Sequence, residues 1–190
     1  MAATISSIDH VEHQLQQHTL TRRLRSDARL SESRYYQKVP RSMRSEMFTA
    51  GSLVAPGKVT VPPLAFYETG GASFYLILYL GASVAGYPGM AHGGLLATMM
   101  DEGLAGCASA ALPKRVAVTL CLSIDYRKPA PTDSFYVLKA RTIKVDGNAA
   151  WVEGRLEVLE GNTSQAGEVV VEGRGHYLEP PSTRGLYSPI

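Results

Sequence analysis

Met90-Ala91-His92-Gly93-Gly94-Leu95-Leu96-Ala97-Thr98-Met99-Met100-Asp101-Glu102-Gly103 is an apolar segment that opens on two glycines and carries an aspartate nine positions after its histidine. Leu95, Met99, Leu104 and Cys107 recur at the spacing of one buried helix side, and Pro113 marks the end of that helix. Gly103, Ala105, Gly106 and Ala108 leave room for another backbone to approach, although each glycine costs the helix up to about 1 kcal/mol. A helix entered through two glycines presents bare backbone N–H groups and the positive end of its dipole, where developing negative charge on an oxygen is stabilised. With a carboxylate two turns further on to activate water, the segment points to hydrolysis of an activated carbonyl.

Geometry then constrains the assembly. At roughly 1.5 Å of rise per residue, Gly93 and Asp101 lie about 12 Å apart along the helix axis. A base and an oxyanion donor must each come within about 3 Å of the reacting group, so one carbonyl cannot be served by both ends of one helix. The glycines of one helix must meet the aspartate of another. In a chain with one such motif, this means a symmetric dimer.

Working outward, Phe74-Tyr75-Leu76-Ile77-Leu78-Tyr79-Leu80 reads as a strand, and Gly86-Tyr87-Pro88-Gly89 as the loop that leads into the helix. Four alternating stretches follow the helix: Val116 to Arg127, Ser134 to Val145, Ala149 to Glu160 and Gly167 to Leu178. Their breaks are Lys128-Pro129-Ala130-Pro131, Asp146-Gly147-Asn148 and Gly161-Asn162, which carry hairpin or turn chemistry. The pattern predicts an antiparallel meander. One long buried helix followed by such a meander gives an α+β protein, its antiparallel sheet curled around a central helix. Pro56-Gly57 and Pro62-Pro63 set the start of this domain near Gly51, so residues 51–180 form the domain and 181–190 a tail. Residues 1–50 are a polar N-terminal arm, with one amphipathic helix around Val11, Leu15 and Gln14 to His18 and a second from Ser31 to Lys38, closed by Pro40.

With 190 residues, 45% of them hydrophobic, the chain suffices for one core, and its formal charge of +2 does not call for a nucleic-acid partner. The longest apolar run, Phe74 to Ala82, falls well short of the roughly 18 residues of a membrane span. No charged-then-apolar leader opens the chain, so a cytoplasmic protein is expected, with a mitochondrial location as the alternative raised by four arginines between Arg22 and Arg29. Cys107 and Cys121 lack metal or disulfide spacing and read as buried, reduced thiols. His10, His13, His18 and His176 show no ligand spacing either, so no metal is expected. Asn162-Thr163-Ser164 matches a glycosylation sequon, without consequence away from a secretory route.

These residues resemble the hotdog-fold acyl-CoA thioesterases, in particular the small phenylacetate-degradation and thioesterase-superfamily-member types. The resemblance rests on Gly86-Tyr87-Pro88-Gly89-Met90-Ala91-His92-Gly93-Gly94, on Asp101 nine positions after the histidine, and on Thr119-Leu120-Cys121-Leu122-Ser123-Ile124-Asp125-Tyr126-Arg127-Lys128-Pro129. It implies a hotdog fold and hydrolysis of a thioester of coenzyme A or of an acyl carrier protein by a homodimer or dimer of dimers. It further implies that the Gly93 N–H polarises the thioester carbonyl, that Asp101 of the facing chain is general base or nucleophile, and that Thr119 holds the acid or the water. Arg127 and Lys128 fall where relatives contact coenzyme A. The chain departs from the pattern at Gly86, where some relatives carry an asparagine or glutamine as a second carbonyl donor; at Leu120, Cys121 and Ser123, where small or amide residues are common; and at Asn148, where some have a basic residue.

The expected catalytic set is therefore Asp101, Gly93 and Thr119, with His92, Gly94, Arg127 and Lys128 binding substrate. His92, just ahead of the glycines, suits a cap or loop-fixing hydrogen bond better than a base. Glu102 projects about 100° round the helix from Asp101 and reads as a solvated or interfacial charge. Hydrolysis requires no cofactor. Two other readings stand beside this one: a hotdog dehydratase or polyketide-processing cyclase moving protons through His92 with Asp101 or Glu102, and a non-catalytic acyl-binding or interaction protein.

Overall fold

The computed structural model describes residues 8–159, 161 and 167–190. The chain begins with α1 (Ile8–Gln17) and α2 (Thr19–Arg25), then β1 (Ser31–Arg34), a single turn α3 (Arg41–Arg44) and a wide helical turn over Phe48–Ser52. Two strands follow, β2 (Leu64–Tyr67) and β3 (Phe74–Leu80), and then a small hairpin of β4 (Ala85–Tyr87) and β5 (Met90–Ala91). The long helix is α4 (Gly93–Ala111), and four strands complete the fold: β6 (Val118–Tyr126), β7 (Ser134–Asp146), β8 (Ala149–Leu159) and β9 (Val169–Leu178). Seven strands pair antiparallel in the order β1-β2-β3-β7-β8-β9-β6, curled around α4.

Helix α4 is buried as its spacing implied, with Leu95, Met99, Leu104 and Cys107 inside. They pack against Leu76, Leu78, Leu138, Val152, Leu156 and Val171 of the sheet, one continuous core. Two glycines permit this approach. A Cβ at Gly103 would stand 2.5 Å from the Leu138 side chain, and one at Gly106 would stand 2.7 Å from the Phe74 ring. Their helix-propensity cost is offset by the contact they allow.

Strands β7, β8 and β9 form the expected meander, with Gly147 at φ 58° turning β7 into β8. Strand β6 departs from it. It pairs with β9 at the sheet edge, whereas β7 docks on β3. The link between β6 and β7 holds Pro129 and Pro131, which lack the N–H groups that a hairpin ladder needs, and it crosses over instead, Ala91 N–H donating to Ala130 O at 2.8 Å.

The arm also differs from its reading. Helix α1 forms as expected, burying Val11 and Leu15. Ser31 to Lys38 is not a helix: Ser31–Arg34 adds a strand against β2, from Ser31 opposite Tyr67 to Arg34 opposite Leu64. An open edge of backbone donors and acceptors outweighs the weak local helix signal, and Tyr35, next in line, is fully buried in the main core. Val11, Leu15, Leu20 and Leu24 build a second core on the outer face of the sheet with Phe66, Ile77, Tyr79, Val137 and Leu159. Strand β3 is thus covered on both faces, which explains its unbroken apolar run.

Cys107 is buried, but Cys121 is exposed on β6, contrary to the expectation of two buried thiols, because β6 is an edge strand. No helix among the described residues is long and apolar enough to cross a membrane. The sequon at 162–164 lies outside the described residues. Since Leu15 is fully buried in the second core, Leu15→Ala is expected to destabilise the protein by about 2–4 kcal/mol, read from denaturant unfolding.

Candidate active site

The hairpin of β4 and β5 delivers the chain to the start of α4, with Gly89 at φ 75° in its turn and the His92 N–H donating to Val84 O at 2.9 Å. His92 is the N-cap, in extended conformation, and its Nδ1 accepts the Gly94 N–H at 3.0 Å. Of the two glycine N–H groups, Gly94 is therefore occupied by the cap, while that of Gly93 has no acceptor among the described residues. The Tyr126 hydroxyl donates to the Gly93 carbonyl at 2.8 Å and pins this turn from the end of β6. Gly86 lies directly opposite: a Cβ there would stand 3.1 Å from the Cα of His92 and 3.1 Å from its ring. A side chain at that position requires His92 to give way by a few tenths of an ångström.

Around the free N–H is an open cleft lined by Tyr87, His92, Gly93, Tyr126, Arg127 and Lys128. Its two cations are paired in this structure, Arg127 Nε with Glu172 at 2.7 Å and Lys128 with Glu168. Exposed ion pairs of this kind are worth about 0–1 kcal/mol, so an incoming phosphate can displace the carboxylates.

Asp101 sits two turns along α4, on its partly exposed side. Its Oδ1 accepts the Thr119 hydroxyl at 2.9 Å and the Tyr177 hydroxyl at 3.3 Å. Thr119 and Tyr177 face each other across β6 and β9, so the sheet register brings both hydroxyls to one oxygen. Burial, reinforced by the Asp101 charge, raises the Tyr177 phenol well above its ordinary value and keeps it a donor. Oδ2 accepts no hydrogen bond among the described residues. A carboxylate fixed through one oxygen with the other open is suited to taking a proton from water or attacking an electrophile.

Glu102, read from the sequence as a solvated or interfacial charge, is not fully solvated in this chain. It is partly buried and hydrogen-bonded to Thr49 and Tyr36. Burial pushes its carboxyl up to about 7, with the Asp101 charge adding to the rise and the two hydrogen bonds opposing it. Burial also pushes the Cys107 thiol up to about 12, against a hydrogen bond from Thr142, which makes it unreactive.

The structure thus gathers His92, Gly93, Gly94, Arg127 and Lys128 at one end of α4, and Asp101 with Thr119 at a separate place along it. Sequence reasoning gave Tyr126 and Tyr177 no role. Tyr126 stands in the quoted Tyr-Arg-Lys-Pro run and drew no attention of its own; Tyr177 becomes visible only once β9 is paired with β6.

A helix capped by a histidine, entered through glycines and wrapped by an antiparallel sheet defines the hotdog class. The thioesterase superfamily model matches residues 88–165, and the chain belongs to that superfamily. Among curated relatives, the UPF0644 protein PB2B4.06 of Schizosaccharomyces pombe is 31% identical over 170 residues, covering 90% of this chain and 65% of its own length. A Candida albicans relative named as an uncharacterized mitochondrial protein is 27% identical over 172 residues, 90% of this chain and 77% of its own. Mouse acyl-coenzyme A thioesterase THEM4 is 32% identical over 83 residues, 44% of this chain and 35% of its own. The chain therefore spans less than two thirds of the S. pombe relative and about a third of the mouse one. The crystal structure of a thioesterase superfamily protein overlays with a TM-score of 0.52 at 24% identity, covering 62% of this chain and 54% of that one, a likeness of fold.

Because the His92 ring occupies the Gly94 N–H, His92→Ala is expected to cost about 1 kcal/mol of stability, whereas His92→Asn, a strong cap, recovers most of it. Thermal unfolding of the two variants side by side checks this.

Proposed function

We propose that the protein is an acyl-thioester hydrolase acting on coenzyme A or acyl-carrier-protein thioesters, with each active site built from two copies of the chain. The observation that carries this reading is the division of labour along α4. A free Gly93 N–H heads the helix, and an Asp101 oriented by two hydroxyls stands too far along it to reach the same carbonyl. In this reading the thioester oxygen accepts the Gly93 N–H of one chain, and Asp101 of the other deprotonates water or attacks the acyl carbon. The tetrahedral intermediate then collapses and the thiolate of coenzyme A leaves; on the route in which Asp101 attacks, water then cleaves the acyl–Asp101 anhydride and frees the acid. Thr119 holds Asp101, His92 shapes the entry by tying up Gly94, and Arg127 and Lys128 meet the phosphates.

Strand β6 supports the second copy. It is an unpaired edge with Val118, Leu120 and Tyr126 exposed, an arrangement that invites another strand. The superfamily membership and the activity in the name of the mouse relative support the chemistry. We propose the compartment named for the C. albicans relative, the mitochondrion, in place of the cytoplasm expected from the sequence.

Position 93 allows a clean test. It is the first helical residue, where proline is tolerated, and His92 already has the φ of −64° and ψ of 131° that suit a residue before proline. Gly93→Pro removes the N–H and is expected to lower thiol release from octanoyl-coenzyme A by about 100-fold or more while leaving thermal unfolding nearly unchanged. Asp101→Asn is expected to lower it by about 1000-fold. In co-refolded mixtures of the two variants, a heterodimer regains one intact site, so activity returns to about a quarter of the wild-type level if each site spans two chains. Mixtures that stay inactive, with heterodimers confirmed by mass spectrometry, overturn the two-chain site.

A further inference from the structure

Thr119 is the partner that the sequence offers Asp101, but it is exposed, and a hydroxyl open to solvent exchanges a carboxylate for water at little cost. The second hydroxyl on the same oxygen is placed differently. Tyr177 is fully buried, and among the described residues both acceptors of its hydroxyl belong to Asp101, Oδ1 at 3.3 Å and, more distantly, the backbone oxygen at 3.5 Å. Turning the carboxylate away leaves a buried phenol without an acceptor where water does not reach it.

The sheet is shaped around this contact. The inward positions along β9 are Val171, Gly173, Gly175 and Tyr177. A Cβ on Gly175 would stand 2.2 Å from Tyr177 Cε2 and 2.5 Å from its hydroxyl oxygen, so the ring lies back over the glycine, and that posture aims the hydroxyl at α4. Ala150, opposite Tyr177 on β8, takes up little space beside it. On the other flank β6 carries a bulge. Tyr126, Ile124 and Leu122 face inward by strict alternation, which would bring Leu120 opposite Tyr177; the extra residue between Thr119 and Cys121 puts Thr119 there instead.

We propose that Tyr177, laid over Gly175, is the principal positioning residue for Asp101, holding Oδ1 so that Oδ2 alone is turned to the substrate. It acts through Asp101, and Thr119 is the lesser of the two holds. Its effect on rate rests on the hydrolase reading above; the contact itself does not. A hydrogen bond from a buried donor restricts the carboxylate to one orientation, so losing it lowers the fraction of chains in which Oδ2 is aimed at water or at the acyl carbon. Binding through Gly93, Arg127 and Lys128 is untouched.

Tyr177→Phe keeps the ring and removes the hydroxyl. In the full-length protein it is expected to lower kcat for octanoyl-coenzyme A about tenfold with KM within about twofold, whereas Thr119→Val lowers kcat about threefold. Gly175→Ala keeps the hydroxyl and displaces the ring, so it is expected to lower kcat about as much; adding it to Tyr177→Phe lowers kcat little further, because both changes break one contact. A spectroscopic readout needs no catalysis: with tyrosine isotopically labelled at its ζ-carbon, Asp101→Asn is expected to shift the resonance that Tyr177→Phe deletes. A Tyr177→Phe variant that loses no more kcat than Thr119→Val overturns the proposal, as do losses in Gly175→Ala and Tyr177→Phe that multiply. Should Gly175→Ala fail to fold, the other comparisons decide. A wild type that releases no thiol overturns the hydrolase reading instead, and the ζ-carbon resonance then judges the contact alone; a resonance unmoved by Asp101→Asn overturns that contact.

Discussion

The close contact between α4 and the sheet is the constraint on which the other features depend. Gly103 and Gly106 let the helix backbone sink against Leu138 and Phe74, and that depth puts Asp101 within reach of hydroxyls on β6 and β9. Were the helix to ride higher by the thickness of a methyl group, Tyr177 and Thr119 would not meet one carboxylate oxygen. The curl of the sheet, the burial of the apolar helix face and the geometry of the candidate base are three results of one packing distance.

The parts of the fold governed by periodicity were legible in the sequence. Strand β3 spans Phe74–Leu80 as read, α4 runs Gly93–Ala111 up to the stop at Pro113, and the last four strands fall within two or three residues of their expected ends. The order of those strands was not legible. Whether a stretch pairs with its sequence neighbour or with a distant strand depends on turn geometry, and the two prolines between β6 and β7 were read as turn formers rather than as missing donors. Ser31–Arg34 went wrong for a related reason: nothing local announces that an edge of β2 lies waiting for it.

At the site, the residues whose roles rest on backbone were readable, and those whose roles rest on long-range register were not. A glycine pair, a preceding histidine and an acid at fixed spacing lie within one continuous segment, and the cap on Gly94 follows from that segment alone. Tyr177 reaches Asp101 from 76 positions away, and Tyr36 reaches Glu102 from a part of the chain that composition marks as a polar arm. Burial, which the sequence does not announce, raises the Glu102 carboxyl above its ordinary value.

The second core has a further architectural consequence. Helices α1 and α2 occupy the outer face of the sheet over β2, β3 and β7, leaving bare the half that carries Asp125, Arg141, Glu153, Arg155 and Arg174. Greasy sheet-on-sheet stacking through the covered half is blocked by the protein's own N-terminal segment. Any pairing of dimers back to back would have to interlock opposite charges on the bare half, and such a tetramer would come apart as ionic strength rises.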